Sequence, residues 1–430
     1  MRRKDRDSSG DDLDEEYEDI AILDGDDDDD DDASEEKREK GSSLLYRRKL
    51  LQHRLFLLFL ILILVGLVCY AGYLVYKWVT NRYFHEYEVE QDIPISLEGQ
   101  YSFIRFENNL VYYNGDGAAY LDENGKVMWA SSYEMNNPVA EVRGDYLAIA
   151  DIKGTRIEIF DQNGSTGRAD TVIPITRFTV AEQGVVAAIL EADVANYVNF
   201  YTKEGKKLDI GIKTVISGEG GYPLDLALSP SGTGLMVSYV GVESTGIKEK
   251  VVFYNYDVAR AEVQNLVAGF EEYGNTMVAD VTFFDEKSAA AIGDDQIIFY
   301  GFRTAKDVSE VARVPIEKNY FDLFYSDSYL GLVYRDETVV DEPYTVKVYN
   351  SSGKLIFEKK FAEGYEDIYF HKDELIYYNS AYLADYYLKD GSEKFAGTIG
   401  GEFDIVTSGP SNNRLMTVGY QNMRVLKLVP

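Results

Sequence analysis

The chain has 430 residues, 45% hydrophobic and 27% charged, with a formal net charge of −31. That gives room for one large domain or two to three average ones with a real core, while the acidity excludes nucleic acid as a partner because no counterion-releasing basic surface is in sight. One cysteine, Cys69, excludes a disulfide framework within the chain and a cysteine zinc site.

Residues 1–54 hold 20 acidic and 11 basic side chains, a net of −9, and residues 83–430 hold 54 and 30, a net of −24. The C-terminal part is therefore acidic in its own right. Seven consecutive Asp at 26–32 lack the spaced ligands and Gly-centred turn of a calcium loop. Residues 1–46 are instead expected to be a disordered acidic tail, too dense in like charge to fold alone. A basic segment, 47–54, follows, with Arg47, Arg48, Lys49 and Arg54.

Residues Leu55 to Tyr76 carry no charge, and a helix of this length crosses a hydrocarbon core of about 30 Å. A cleaved signal peptide has a shorter apolar region ending in small residues; here "KWVTNRYF" follows Tyr76. The transmembrane helix is placed at 55–78, with Tyr70, Tyr73, Tyr76 and Trp78 at its outer interface. Only Lys77 and Arg82 flank its far side, so the positive-inside bias puts the N-terminus in the cytoplasm. A linker at 79–87 then leads to an extracellular domain, 88–430, on a single-pass cell-membrane protein. An external domain without disulfides suits a Gram-positive-type bacterial surface.

In that domain the turn "LDENG" at 121 returns in altered form as "FDQNG" at 160, "YTKEG" at 201, "YNSSG" at 349 and "YLKDG" at 387. Aligning the opening apolar residue gives Leu121, Phe160, Tyr201, Tyr254, Tyr300, Tyr349 and Tyr387, spaced by 39, 41, 53, 46, 49 and 38. A period near 44 with several short strands per unit is the mark of a propeller blade. Inside a unit, "DYLAIAD", "TRIEIFD" and "ADTVIPI" alternate apolar and polar positions between turn residues, as strands do. Eight units start near 97, 138, 176, 223, 277, 320, 366 and 403. The fold class is all-β, an eight-bladed β-propeller, or a seven-bladed one if a weak unit is misread. The eighth unit lacks an outer strand, and "EVEQDIPIS" at 88–96 is expected to supply it, removing an open edge.

The stretch "AAYLDENGKVMWAS" resembles the quinoprotein-type propeller repeat, and "LALSPSGTGLMVSY" at 226–239 resembles a hairpin of WD-like and Tol-type propellers. Acidic tail, single span and Tyr-rich propeller together resemble the uncharacterised membrane-anchored propeller proteins of Gram-positive bacteria, a family defined by domain and not by function. The quinoprotein resemblance implies a quinone and a calcium ion in the central channel. The family's repeat Trp appears once in the domain, as Trp129, and an adjacent cysteine pair is impossible, so no cofactor is expected and Trp129 is assigned to packing between blades. The Asp of "DENG" and "DQNG" is assigned to its own turn, with Gly taking φ > 0.

No catalytic or metal site is expected either. His53, His85 and His371 lie apart in sequence, and no Ser or carboxylate constellation is identifiable around His371. "SGEGGY" at 217–222 reads as the loop between blades 3 and 4, because no helix follows to cradle a phosphate.

Long insertions fall between the second and third strands: "LEADVANY" in the third unit, "GVESTGIKEK" in the fourth and "RDETVVDEPY" in the sixth. Loops on a rigid scaffold commonly carry recognition. The candidate binding face comprises Glu191, Asp193, Tyr197, Tyr239, Glu243, Tyr334, Asp336, Glu337, Asp341, Glu342 and Tyr344. This surface suits a protein partner or a cell-wall glycan on the outer face. The expected function is a non-enzymatic binding or scaffolding module. Its alternatives are a cell-envelope glycan hydrolase or lyase, and a sensor coupling the propeller to the tail.

Overall fold

Each repeat unit folds as one four-stranded antiparallel sheet, and eight such sheets are present. The structure, a computed structural model, describes residues 54–76, 83–95, 99–215, 220–243, 246–256, 265–274, 276–316, 319–401, 403–409, 411–419 and 421–430. The acidic tail, the basic segment up to residue 53 and residues 77–82 lie outside these. The chain divides into two units, Met1–Trp78 and Val79–Pro430. In the first, Arg54–Tyr76 is a helix long and apolar enough to span a membrane, with no buried side chain.

Blades 1 to 7 cover 102–132, 138–170, 175–215, 222–270, 278–315, 322–361 and 367–398. Blade 8 takes Ile405–Ser408, Arg414–Val418 and Asn422–Val429 from the C-terminal end of the propeller and its outer strand, Glu86–Pro94, from the N-terminal end. The expected closure is present, and the count is eight rather than seven. Glu90 and Asp92 on the closing strand pair with Arg414 (2.8 Å) and Arg424 (3.3 Å).

Second strands read as near-continuous apolar runs because both faces are covered by neighbouring blades; Leu147 to Ala150 and Val186 to Leu190 are fully or almost fully buried. Among the described residues the core is accordingly eight apolar clusters, each shared by two adjacent blades. Trp129 belongs to one of them, stacking on Phe160 of the next blade at 4.9 Å and 3°. Its assignment to packing holds.

The recurring turn joins third and fourth strands. Asp122 Oδ1 accepts from the amides of Asn124 (2.9 Å) and Lys126 (2.8 Å), and Gly125 has φ of 71°. Asn350 repeats this with Ser352 and Lys354, and Gly353 has φ of 78°. The apolar residue before the turn marks a register shift between third and fourth strands in each of blades 1 to 6. In blade 7 that position is Tyr386, opposite Leu375, so the expected alignment on Tyr387 is off by one residue. Blade 8 carries the same shift at Val425/Leu426, although its fourth strand comes from the other end of the chain.

Candidate functional site

Turns between second and third strands share a face with the blade-to-blade connections. The closing strand starts at the opposite face, where Glu86 pairs with Val429. The chain thus joins the propeller on the side of the "LDENG" turns.

The expected binding residues lie on blades 3, 4 and 6 and do not form one cluster. Glu191 ends the second strand of blade 3 and accepts from Tyr222 Oη (2.9 Å), while Asp193 is exposed in the short turn 192–194. Most of "LEADVANY" is therefore strand. Tyr197 is half-buried, with the Lys213 ammonium 5.7 Å from its ring centroid. Tyr239 is a core residue, 2% exposed; burial and the neighbouring Tyr254 hold its hydroxyl well above the usual range. Its place as a surface residue is corrected.

"GVESTGIKEK" is likewise no open loop. Gly241 pairs with Lys248, Val242 with Ile247 and Glu243 with Gly246, so β-branched Val242 and Ile247 carry the ladder through both flanks of the insertion. Only the backbone of Glu243 is described. The blade 6 insertion is a true loop, 336–343. Asp336 caps it by accepting from the amide and hydroxyl of Thr338 (3.1 and 2.6 Å), and Glu337, Asp341 and Glu342 are exposed. Tyr344 is packed among Phe321, Phe361 and Tyr365. Tyr334 and Asp336 line a cleft of about 420 Å³ between blades 5 and 6.

Exposed apolar side chains single out this face more sharply than its acids. Val172, Val242 and Val340 are 96%, 88% and 89% exposed; Ile247, paired with Val242, and Val194 in the blade 3 turn are exposed as well. On the other face Val127, Met128, Leu266 and Leu355 are only about half exposed.

The channel holds charged residues that the repeat alignment did not single out. Arg177, Asp225, Asp280, Asp322 and Asp367 occupy one rung on the first strands of blades 3 to 7, opposite Ile189, Ser238, Ile292, Val333 and Tyr378. A first strand presents an unpaired inner edge, and charged side chains satisfy it. Glu141 accepts from Thr179 Oγ1 (2.7 Å) and the Val180 amide (3.1 Å) of blade 3, and Asp225 from the Val281 amide (2.9 Å) of blade 5. Arg143 reaches across the axis from blade 2, donating to the carbonyls of Leu228 (3.4 Å) and Phe283 (2.7 Å) and pairing with Asp327 of blade 6 (3.4 Å). Arg105 of blade 1 pairs with Asp367 of blade 7 (2.6 Å) and lies 3.4 Å from the Tyr369 ring centroid.

Burial raises Glu141 to about 7 and Asp225 to about 6. Burial, then the Asp225 charge, raises Asp280 to about 8. The legible signal was a lone charge in successive apolar strands, as in "LDL", "ADV" and "FDL". Among the described residues no three His, Cys, Asp or Glu side chains are placed to hold one metal ion. His371 ends a first strand, and burial lowers it to about 4, which keeps it neutral near pH 7.

A family model described as a family of unknown function (DUF5711) matches residues 80–428. No curated protein matches the sequence. Among solved structures the chain is similar to BamB from Moraxella catarrhalis, at 10% identity over 80% of this chain and 100% of that one, with a TM-score of 0.44. It is similar to Sqt1 from Chaetomium thermophilum at 14% identity, 75% and 93% coverage and a TM-score of 0.47. The Pan2 WD40 domain of Neurospora crassa gives 11%, 68%, 88% and 0.40.

Proposed function

The chain belongs to this family of unknown function, and on that premise we propose that it is a membrane-anchored binding or scaffolding module for a protein or cell-envelope component. The observation that carries the reading is the set of nearly fully exposed valines on the face opposite the point where the chain joins the propeller. In this reading residues 1–46 are the cytoplasmic tail and 55–78 the span, and the extracellular, non-enzymatic propeller begins at Phe84 rather than at the expected residue 88, because Phe84 packs into the blade 7–8 cluster and the closing strand starts at Glu86. The flanking charges support that orientation. Protease shaving of intact cells tests it: digestion of the propeller is expected, and its protection overturns the orientation. Photo-crosslinkers at Val172, Val242 and Val340 are expected to capture one common partner that V242E/V340E loses. Capture only from Val127 and Leu266 overturns the assignment of the face.

A second reading, a glycan hydrolase or lyase, draws on Glu141, Asp225 and Asp280, whose separated titrations resemble an acid and base arrangement. Turnover of cell-wall polysaccharide that E141Q or D280N abolishes favours it. Partner capture by residues 1–46 alone favours a sensory role.

A further inference from the structure

The register shift between third and fourth strands leaves one extra residue on the fourth strand, and such a bulge re-aims that residue's side chain. In blades 1, 2, 4, 5 and 6 the extra residue is Met128, Thr166, Val267, Val311 or Ile356. The third-strand residue just before the shift is Tyr120, Ile159, Phe253, Phe299 or Val348. Among the described residues only blade 7 is charged at both places, with Lys394 as the extra residue and Asp385 before the shift. Five blades make the same bulge with no charge, so the fold does not require one here. A buried ion pair is also no surer a source of stability than apolar side chains of similar volume.

Lys394 is the only buried lysine among the described residues. Its ammonium donates to Glu374 Oε2 at 2.7 Å and lies 2.9 Å from Asp385 Oδ2. Asp385 is fully buried, paired with Ile376 and Phe395 on the neighbouring strands, and its Oδ1 has no hydrogen-bond partner among the described residues. A carboxylate so poorly solvated is costly, and burial pushes Asp385 above the usual range toward its neutral form. The neutral carboxyl is the form that an amine attacks. Glu374 and Lys394 also line a small polar cleft with His371, Ser408 and Asn412, which gives a water molecule a way out.

From this arrangement we infer that Lys394 and Asp385 condense into an isopeptide bond, with Glu374 as the base. The ammonium passes one proton to Glu374 along their hydrogen bond, and the free amine attacks Asp385 Cγ. One N–C bond forms, one C–O bond breaks, and the carboxyl hydroxyl leaves with a second amine hydrogen as water. The third hydrogen stays on the amide nitrogen, Glu374 holds the first proton until solvent takes it, and nothing is oxidised or reduced. Amine, carboxyl and base are held together by the fold, so the step is unimolecular. The product exchanges a buried cation for a neutral amide. It ties the third strand of blade 7 to the fourth, where Phe84 of the closing seam donates its amide to Lys394 O.

Tryptic mapping of the detergent-solubilised full-length chain tests this. The folded wild type is expected to give a branched species joining 373–389 to 390–414, lighter than the two peptides together by one water. Cyclisation of Asp390 against Gly391 also loses water but leaves the two peptides separate. K394R keeps the cation and is expected to give separate peptides only. E374Q is expected to slow linkage at least about a hundredfold, read as the linked fraction in successive samples after synthesis, in molecules that elute as the wild type does. Separate peptides alone from the folded wild type overturn the inference, and so does linkage in E374Q at the wild-type rate.

Discussion

Lys394 is 2% exposed and lies 2.7 Å from Glu374 and 2.9 Å from Asp385. Burial pulls its pKa down, but the two carboxylates outweigh that and hold it protonated. Lys394→Met leaves two acids in the core without their cation, an expected loss of about 3–5 kcal/mol in denaturant unfolding. The channel acids act in another way. Glu141, Asp225 and Asp280 keep protons in the folded state that the unfolded chain releases near pH 4, so their contribution is present below that pH and lost as pH rises through about 6 to 8. The melting midpoint is expected to fall between about pH 5 and pH 8, and D280N to flatten the slope; a midpoint rising over that window contradicts the assignment. These residues were hard to read from sequence because each comes from a different blade. Arg143 and Phe283 meet only across the axis, and nothing in local spacing announces that meeting. The exposed acids of the 336–343 loop were legible, whereas Tyr239 was not, since a tyrosine near a turn looks the same on the surface and between blades.

Third-to-fourth-strand turns tie neighbouring blades together as well as reversing the chain. Gly205 has φ of 78°, and a methyl there would overlap the Arg168 carbonyl of the preceding blade. Gly205→Ala is therefore expected to cost more than about 1 kcal/mol, whereas Gly269→Ala, with open space around it, stays close to wild type; thermal unfolding of the pair reads the difference. These turns made most of the fold legible, because Asp or Asn, Gly and an apolar partner recur at fixed offsets and each has a geometric reason. The long hairpin of blade 4 was misread for a related reason. Polar and Gly residues at 241–250 look like loop, and only pairing with the opposite strand shows that they continue the ladder.

For the ring as a whole, one seam differs from the other seven. Blade 8 is held by a strand carrying Glu86, Glu88, Glu90 and Asp92 against arginines of the second and third strands. Phe84 extends the seam by packing into the blade 7–8 cluster and donating its amide to Lys394 O (2.8 Å). A chain beginning at residue 95 exposes Asn422–Val429 as an edge and is expected to elute as aggregates, whereas one beginning at residue 83 elutes as a single species in size-exclusion chromatography. Equal behaviour of the two argues against closure as a source of stability.

The seam also imposes an order of events on the ribosome. Asp92 and its partner Asn422 are 330 residues apart, so the closing strand leaves the exit tunnel long before anything can pair with it. During that wait its alternating carboxylates repel other strand edges and keep it in water. The arginines that neutralise them follow about as far behind as Asn422, so blade 8 is sealed only after the first seven blades have been made.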